Sequence, residues 1–282
     1  MIAFLGMGLL GSSFVRALRK RGEGVHVWNR SPPRAQALAP TGAVVFPDAA
    51  AAVRGAARVH LTLSDDAAVD AVLEAAAPGL GEGALVIDHT TTAASTVVTR
   101  MDRWRSRGVT YVHAPVFMGP ANALDGTGLM LLSGDRALVE RVRPMVAPMT
   151  GKLVDLGLRP DAAASFKLLG NLFLMFLTSG LADMLSLAKA LGVPPADAVT
   201  LFEHFNPGAT IGARAKRMLD GNFAEPSWEL SMARKDARIM LDEAQAKGTA
   251  LAVLPAIAAR MDALIAEGHG GDDWTVMAKD AL

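Results

Sequence analysis

Short, mainly apolar runs recur through the first half of the chain, and stretches of helical length separate them. Runs of this kind are typical of strands that are buried on both faces of a parallel sheet. The runs are Ile2–Leu5, Val25–Trp28, Val59–Leu63, Leu85–Asp88 and Thr110–His113, and the clearest helical stretches are Asp65–Ala77 and Ala93–Ser106. The alternation predicts an α/β fold with a doubly wound parallel sheet.

The pattern changes after about residue 160. Two further strand-like runs, Leu129–Leu132 and Lys152–Asp155, flank a helix that is predicted from about Asp135 to Val146. Beyond them only helical patterns remain, at 161–191, 196–204, 228–247, 252–267 and 273–281. The sequence therefore predicts two domains, an α/β domain over 1–160 and an all-helical domain over 161–282.

One apolar segment, Leu168–Ala182, carries no charged residue. It is shorter than the roughly 20 residues that a membrane span requires, and Lys167 and Asp183 bracket it. We therefore expect a buried core helix. A helix that is apolar nearly all round is normally buried on all sides, and a small domain needs a partner chain to achieve that. The segment thus also predicts a homodimer or homotetramer.

Composition narrows the class of protein. Of 282 residues, 51% are hydrophobic and 20% charged, which excludes a disordered or highly charged arm. The 28 basic and 28 acidic residues give no excess charge for gripping nucleic acid or anionic membranes. The absence of cysteine excludes disulfides, thiolate zinc sites and thiol catalysis. The histidines suggest no metal site, and His89 and His113 at neighbouring strand ends are expected to be structural. We expect a cytoplasmic protein with no metal, nucleic-acid or membrane partner.

A glycine motif follows the first predicted strand. Gly6-Met7-Gly8-Leu9-Leu10-Gly11 is GxGxxG, and it opens an amphipathic helix that leads to the second strand. In this context the first glycine makes a tight turn, the second lets the backbone approach a pyrophosphate, and the third lets helix and strand pack closely. The helix start also favours phosphate through its free N–H groups and its dipole. The motif predicts a Rossmann-type dinucleotide-binding domain, the alternative being glycines that serve turn geometry alone.

The end of the second strand bears on the choice of cofactor. An NAD site usually places Asp or Glu there to hold the ribose 2′-hydroxyl, whereas this chain has Asn29, Arg30 and Ser31. A guanidinium suits a 2′-phosphate. We therefore expect NADP(H) to be favoured over NAD(H), the alternative being that Arg30 is an exposed loop cation.

With these motifs in place, the chain resembles the β-hydroxyacid dehydrogenase family over nearly its full length. Relatives in that family include 3-hydroxyisobutyrate dehydrogenase and glyoxylate/succinic semialdehyde reductase. The further segments that carry the resemblance are Asp88-His89-Thr90-Thr91, His113-Ala114-Pro115-Val116, Lys167 with Asn171, and Arg234-Lys235-Asp236. The resemblance implies a Rossmann domain, an all-helical second domain and a catalytic lysine at their junction.

Lys167 lies at the start of the long helix, and Asn171 follows one turn later on the same face. Desolvation beside an apolar helix face lowers the pKa of a lysine, which can then act as an acid or base near neutral pH. On spacing alone, a surface lysine and a core amide would explain the pair. The resemblance implies that Lys167 transfers the proton, while Asn171 holds the substrate oxygen or orients the lysine.

Other contacts follow from the same resemblance. Thr91 lies past a strand end, where doubly wound sheets bind ligands, and is expected to contact cofactor or substrate unless its hydroxyl only caps a helix. Leu63 and Ser64 take the equivalent place after the preceding strand, and Ser64 is also a candidate N-cap of the next helix. Lys235 is similar to the family's second lysine, on the cofactor side of the cleft, the alternative being a solvated helix cation.

The expected substrate loop departs from the family pattern. The family reads Asp-Ala-Pro-Val-Ser-Gly-Gly where this chain reads His-Ala-Pro-Val-Phe-Met-Gly. Phe117 and Met118 supply bulk in place of a hydroxyl and a glycine, so we expect a larger or more apolar substrate, or a carboxylate that is held elsewhere. The candidate substrate contacts are Thr91, Phe117, Met118, Gly119, Lys167 and Asn171.

Together these features predict an NADPH-dependent oxidoreductase that transfers hydride between the cofactor and a small carbonyl or hydroxy-acid substrate, as a semialdehyde reductase does. One alternative is an imine reductase, although those enzymes often lack the lysine that Lys167 represents. Another is a protein that binds NADP(H) without turnover, as a sensor or scaffold. Lys167 and Asn171 disfavour this last alternative, and the altered substrate loop keeps it open.

Overall fold

The computed structural model describes residues 1–282. Strands β1–β9 span Ile2–Leu5, Val25–Trp28, Val44–Val45, Arg58–Leu61, Leu85–Asp88, Thr110–His113, Val116–Phe117, Leu129–Leu132 and Lys152–Asp155. Helices α1–α12 span Leu9–Lys20, Pro32–Gln36, Ala49–Val53, Asp66–Ala76, Ala94–Arg105, Pro120–Asp125, Arg136–Val146, Ala162–Ala190, Pro195–Val199, Ile211–Asp220, Leu230–Ala246 and Leu254–Leu264. A π-helical turn at Ile265–His269 and a 3₁₀ helix at Trp274–Ala281 complete the chain.

The chain forms two compact units, Met1–Leu172 and Phe173–Leu282. The first contains every strand, and all regular elements after β9 are helical. The division lies inside α8, which belongs to both units. The predicted fold class, a doubly wound parallel sheet followed by helices, is confirmed.

Six strands form a single parallel sheet in the order β3-β2-β1-β4-β5-β6. Side chains of β1 alternate between two hydrophobic clusters, with Ile2 and Phe4 on one face and Ala3 and Leu5 on the other. Both faces are therefore covered, as the unbroken apolar runs require. The strand order reverses between β1 and β4, and a doubly wound sheet binds ligands at the carboxyl ends of its strands at such a point.

The later strands of the first unit do not extend this sheet. They form a separate three-stranded sheet in the order β7-β8-β9, in which β7 is antiparallel to β8 and β9 is parallel to it. The two-residue strand β7 is too short for its pattern to predict. It contains Phe117, so the expected substrate loop is partly held by a sheet.

Helix α8 differs from the sequence expectation. Its first turn is buried at Ala162–Ala164, but the large apolar side chains between Leu168 and Leu177 are 42% to 66% exposed. The prediction of a core helix is therefore wrong for a single chain, because burial requires a second surface that the single chain does not provide there. By length and composition alone α8 would also be long and apolar enough to cross a membrane.

Candidate active site

The glycine motif forms the turn from β1 into α1. Gly6 has a φ of +99°, and a Cβ atom there would lie 2.2 Å from the carbonyl oxygen of Thr62. A Cβ on Gly11 would lie 2.0 Å from the Gly6 oxygen, whereas a Cβ on Gly8 would meet no atom within 4 Å. Two glycines thus let α1 pack against the strand ends, and Gly8 faces open space.

The strand ends β2 and β4 hold this turn in place. The Met7 N–H donates to Asn29 Oδ1 at 2.8 Å, and the Thr62 hydroxyl donates to the Gly6 oxygen at 2.8 Å. The Asn29 amide donates in turn to the Ser31 oxygen. The turn is therefore tied to the neighbouring strand on each side.

A cavity of about 320 Å³ opens beside the turn, within the first unit. It brings together eight residues that the sequence predicted for the site: Gly8, Leu9, Leu10, Gly11, Leu63, Thr91, Met118 and Lys167. Its remaining lining residues are Thr62, His89, Thr90 and Val116. Lys167 is the only lysine, arginine, aspartate or glutamate among the lining residues. The first-turn N–H groups of α1, which have no intrahelical acceptor, border the same space.

Other predicted contacts lie outside this lining. Arg30 and Ser31 are exposed where β2 ends, and Gly119 is exposed at the start of α6. Ser64 is exposed and does not cap α4. Instead Asp65 is the N-cap, because its carboxylate accepts a hydrogen bond from the Ala68 N–H at 2.8 Å.

Lys235 belongs to the second unit. It lies on α11 with its side chain 46% exposed, and its Nζ is 2.8 Å from Asp236 Oδ1. Within its own helix Lys235 therefore has only the contact of a solvated surface cation, an ion pair with an exposed neighbour.

The segment after β5 is fixed by a buried carboxylate. Asp88 is fully buried, where it accepts hydrogen bonds from the Thr90 N–H and the Tyr111 hydroxyl. Thr90 Oγ1 accepts from the Leu63 N–H at 2.9 Å, and the Thr90 oxygen accepts from His113 Nε2 at 2.8 Å. These bonds shape the turn that leads to Thr91 and join it to the end of β4.

A chain of buried hydrogen bonds ends at the cavity. Arg58 Nε donates to His60 Nε2 at 3.0 Å, and His60 Nδ1 is 2.9 Å from His89 Nε2. Because a guanidinium only donates, His60 carries its proton on Nδ1, and His89 donates from its own Nδ1 to the Ala114 oxygen. Burial lowers the pKa of His60 well below its ordinary value and that of His89 to about 4. Both rings are therefore neutral, and for His89 this agrees with the structural role that the sequence favoured.

Lys167 and Asn171 meet as their spacing predicts. Lys167 is only 8% exposed, and its Nζ donates to Asn171 Oδ1 at 2.9 Å. Ser133, just after β8, fixes the start of α8, because its Oγ accepts from the Ala163 N–H at 3.0 Å. Burial lowers the pKa of the Lys167 ammonium below its ordinary value. The Phe117 ring covers the ammonium, with Nζ 4.1 Å from the ring centroid.

The residues fit a bound dinucleotide. The open backbone at Gly8 and the helix start beside the cavity suit phosphate, and the hydroxyls of Thr90 and Thr91 offer donors to phosphate and ribose oxygens. The Thr62 hydroxyl is already donated to the Gly6 oxygen and holds the turn instead. Sequence reasoning did not assign Thr62, Thr90 or Val116 to the site. Their signal was their position at the carboxyl ends of parallel strands, which meet at one edge of the sheet.

Known proteins share this architecture. Residues 1–157 match the family described as the NAD binding domain of 6-phosphogluconate dehydrogenase, and residues 162–280 match the NAD-binding family of NADP-dependent 3-hydroxyisobutyrate dehydrogenase. The chain is 27% identical to 3-sulfolactaldehyde reductase of Escherichia coli strain K12, over 98% of this chain and 94% of that protein. It is 25% identical to mitochondrial 3-hydroxyisobutyrate dehydrogenase of Drosophila melanogaster, over 98% and 87%.

Among solved structures, an imine reductase from Myxococcus stipitatus in complex with NADP⁺ has a TM-score of 0.90, at 20% identity over 99% of each chain. At that identity the likeness shows the shared fold. The two family matches together account for nearly the whole chain, and the first coincides with the sheet and glycine turn that border the cavity. The protein is thus an NAD(P)-dependent oxidoreductase acting on CH–OH donors, and it belongs to the β-hydroxyacid dehydrogenase family.

Proposed function

We propose that the protein reduces a small carbonyl compound with NADPH, or oxidises the corresponding alcohol or hydroxy acid, with Lys167 as the proton donor and acceptor. One observation carries the proposal. A buried lysine, paired with Asn171 at 2.9 Å, lines the same cavity as the glycine turn and Thr91. A proton donor and a dinucleotide-binding turn therefore border one space.

The mechanism assigns one task to each side chain. When bound, the nicotinamide supplies the hydride that the carbonyl carbon accepts. The Lys167 ammonium donates a proton to the carbonyl oxygen, and its lowered pKa makes the transfer easier than from a solvated lysine. Asn171 accepts a hydrogen bond from Nζ and so orients the remaining protons. The Thr91 hydroxyl, half-buried in the lining, is the contact for substrate or cofactor.

The preference for NADP(H) rests on the end of β2. Arg30 is exposed beside Asn29, whose side chain is held by the Met7 N–H. The site therefore presents an exposed guanidinium next to a fixed turn, and no carboxylate stands at positions 29, 30 or 31 to hold a ribose 2′-hydroxyl. This arrangement suits a 2′-phosphate.

The exposed stretch of α8 supports self-association. Eight large apolar side chains between Leu168 and Leu177 exceed the scattered apolar exposure of an ordinary monomer surface. A second copy of the chain offers the same apolar helix, and pairing of two such helices removes both from water. We therefore favour a homodimer or homotetramer in the cytoplasm over a membrane-bound form.

The test is a panel of small aldehydes, ketones and keto acids with NADPH and NADH, followed by the nicotinamide absorbance. We expect oxidation of NADPH that requires a carbonyl substrate, and a lower rate with NADH. A parallel series with added amine tests imine reduction. NADPH binding without turnover on the whole panel would instead support the sensor or scaffold alternative.

A further inference from the structure

The aromatic cover on Lys167 depends on a second residue, Gly170. A Cβ atom on Gly170 would lie 2.3 Å from Phe117 Cζ and 2.7 Å from Cε1. Gly170 follows Lys167 by three residues and therefore lies on the same face of α8. The ring of Phe117 occupies the space that any larger side chain at position 170 would take.

The Phe117 ring gives the Lys167 ammonium an apolar surrounding on one side. Phe117 reaches the lysine from β7, where it pairs with Leu129, so its backbone is fixed by the second sheet. Its neighbours Val116 and Met118 line the cavity, and they too are apolar. Met118 packs close to Gly128, where a Cβ would lie 2.8 Å from Met118 Cγ. The cavity-lining residues on either side of Phe117 are thus both apolar.

The cavity lining contains a single charged side chain. Lys167 is its one ammonium or guanidinium, and the mechanism commits that group to the carbonyl oxygen. His89 is buried and neutral, since its pKa is lowered to about 4. A carboxylate or sulfonate on the substrate would compete with the carbonyl oxygen for the same ammonium.

We infer that Phe117 and Gly170 act as a coupled pair that determines specificity, and that they select an uncharged aldehyde or ketone with an apolar substituent over a carbonyl compound that carries a carboxylate or sulfonate. The inference rests on the proposed function and narrows its substrate class. The glycine leaves room for the ring, and the ring provides the apolar wall beside the reacting oxygen. This preference differs from the anionic substrate that the name of 3-sulfolactaldehyde reductase implies for that relative.

Two aldehydes of similar size test the preference. Pentanal and succinic semialdehyde differ in a terminal ethyl group against a carboxylate of similar size, and kcat/KM for each is measured with saturating NADPH. We expect the wild type to favour pentanal by about tenfold or more, as apolar pockets commonly discriminate. Phe117→Ser should reverse or abolish the preference, mainly through a higher KM for pentanal. Gly170→Ala should shift it the same way, because the new Cβ displaces the ring.

A double-mutant cycle based on Tm tests the coupling between Phe117 and Gly170 and requires no measurement of enzyme activity. Gly170→Ala should lower the Tm of the wild type but not that of the Phe117→Ser variant, where the ring is gone. Gly212→Ala is the control for the gain in helix propensity, since a Cβ there meets no atom within 4 Å. If Gly170→Ala is too unstable to purify, the double variant should still fold, because the ring that the new Cβ would strike is gone. Recovery of a folded double variant would then show the coupling.

The outcomes distinguish a failure of the specificity inference from a failure of the proposed function. If the wild type reduces carbonyl compounds but Phe117→Ser keeps the wild-type ratio, the specificity inference is wrong and the proposed function stands. Additive Tm effects in the cycle would overturn the coupling. If the wild type reduces no carbonyl compound at all, the proposed function fails, and the substrate assignment fails with it.

Discussion

The proposed mechanism assigns the proton transfer to Lys167 alone, so removal of this side chain is the sharpest test of that mechanism. Lys167→Ala should lower the single-turnover rate of hydride transfer by about 10²–10⁴-fold, the usual contribution of a positioned acid. NADPH affinity should stay nearly unchanged, because the phosphates are assigned to the Gly6–Gly11 turn. Reduction by the wild type should also slow as the pH rises through the lowered pKa of Lys167, since only the ammonium donates.

Two further variants distinguish proton transfer from charge alone. Lys167→Arg should fail as well, because a guanidinium stays protonated and cannot alternate between acid and base. Asn171→Ala should cost less than Lys167→Ala, because Asn171 orients the ammonium and transfers nothing. Near wild-type hydride transfer in Lys167→Ala would mean that the proton comes from another donor.

Arg30 is the residue on which cofactor choice is predicted to depend. Arg30→Asp should weaken NADPH binding by roughly 1.5–3 kcal/mol, the range of a charge-assisted hydrogen bond, and leave NADH binding little changed. Arg54→Asp is the control, because Arg54 is an exposed arginine elsewhere on the same unit. Dissociation constants for both cofactors follow from fluorescence titration. Equal constants in the wild type would contradict the prediction.

At the scale of the element, the β1–turn–α1 unit uses its glycines for different physical reasons. A Cβ on Gly11 would press on the Gly6 oxygen at 2.0 Å, so Gly11→Ala should cost roughly 1–3 kcal/mol of folding stability, as overpacking does. A Cβ on Gly8 meets open space, so Gly8→Ala should keep the wild-type Tm. It should still weaken NADPH binding by about tenfold or 1.4 kcal/mol, because the cofactor must approach that backbone. Equal Tm losses in both variants would refute the distinction.

The observed strand and helix boundaries show which elements a local sequence pattern is enough to predict. The runs at β1, β2, β5, β6, β8 and β9 were predicted residue for residue, because each is a compact apolar segment between turn residues. Two short strands and four helices had no predicted range. Strands β3 and β7 have two residues each, too few for a period to be visible, and the helices are α2, α3, α6 and α10. The helix predicted over 196–204 is α9 followed by a 3₁₀ turn at Thr200–Glu203.

At the scale of the whole molecule, buried histidines tie folding stability to pH. Burial lowers the pKa of His60, His89 and His113, and that of His89 falls to about 4. Between about pH 6.5 and pH 4 the unfolded chain binds protons that the folded protein does not bind, so stability falls as the pH is lowered. Each fully shifted histidine contributes about 1.4 kcal/mol per pH unit in that window.

Denaturant unfolding at pH 7 and pH 5 measures this dependence. His60→Gln should reduce the loss of unfolding free energy between the two pH values, because one titrating group is gone. His204→Gln, at an exposed position, is the matched substitution. The same pH dependence in His60→Gln and the wild type would show that His60 does not contribute.

The apolar stretch of α8 determines the expected assembly. The wild type should sediment as a dimer or tetramer at micromolar concentration, and Leu172→Glu with Met175→Glu should dissociate it, because association would bury two unpaired charges. Lys189→Glu is the control, since it places a negative charge on the same helix outside the apolar stretch. A monomeric wild type, or one that binds to liposomes instead, would contradict self-association.

The sequence by itself determined the features that neighbouring residues encode. Strand runs of four residues, the GxGxxG turn and the Lys167–Asn171 pair all have their signal within a few positions. Periodicity therefore predicted the doubly wound sheet and the helical second half that the structure contains. Spacing placed Lys167 and Asn171 on one helix face, and the family resemblance supplied their joint role.

Only the tertiary structure decided which distant residues meet. Phe117 covers Lys167 because β7 and α8 adjoin and position 170 lacks a Cβ, a relation between residues about fifty positions apart. Asp88 shapes the Thr90 turn with help from Tyr111, and His60 bonds to His89 across two strands. None of these contacts has a local pattern, because each depends on strand order and register. Exposure of α8 likewise depends on which surfaces surround a helix, which its own apolar composition does not specify.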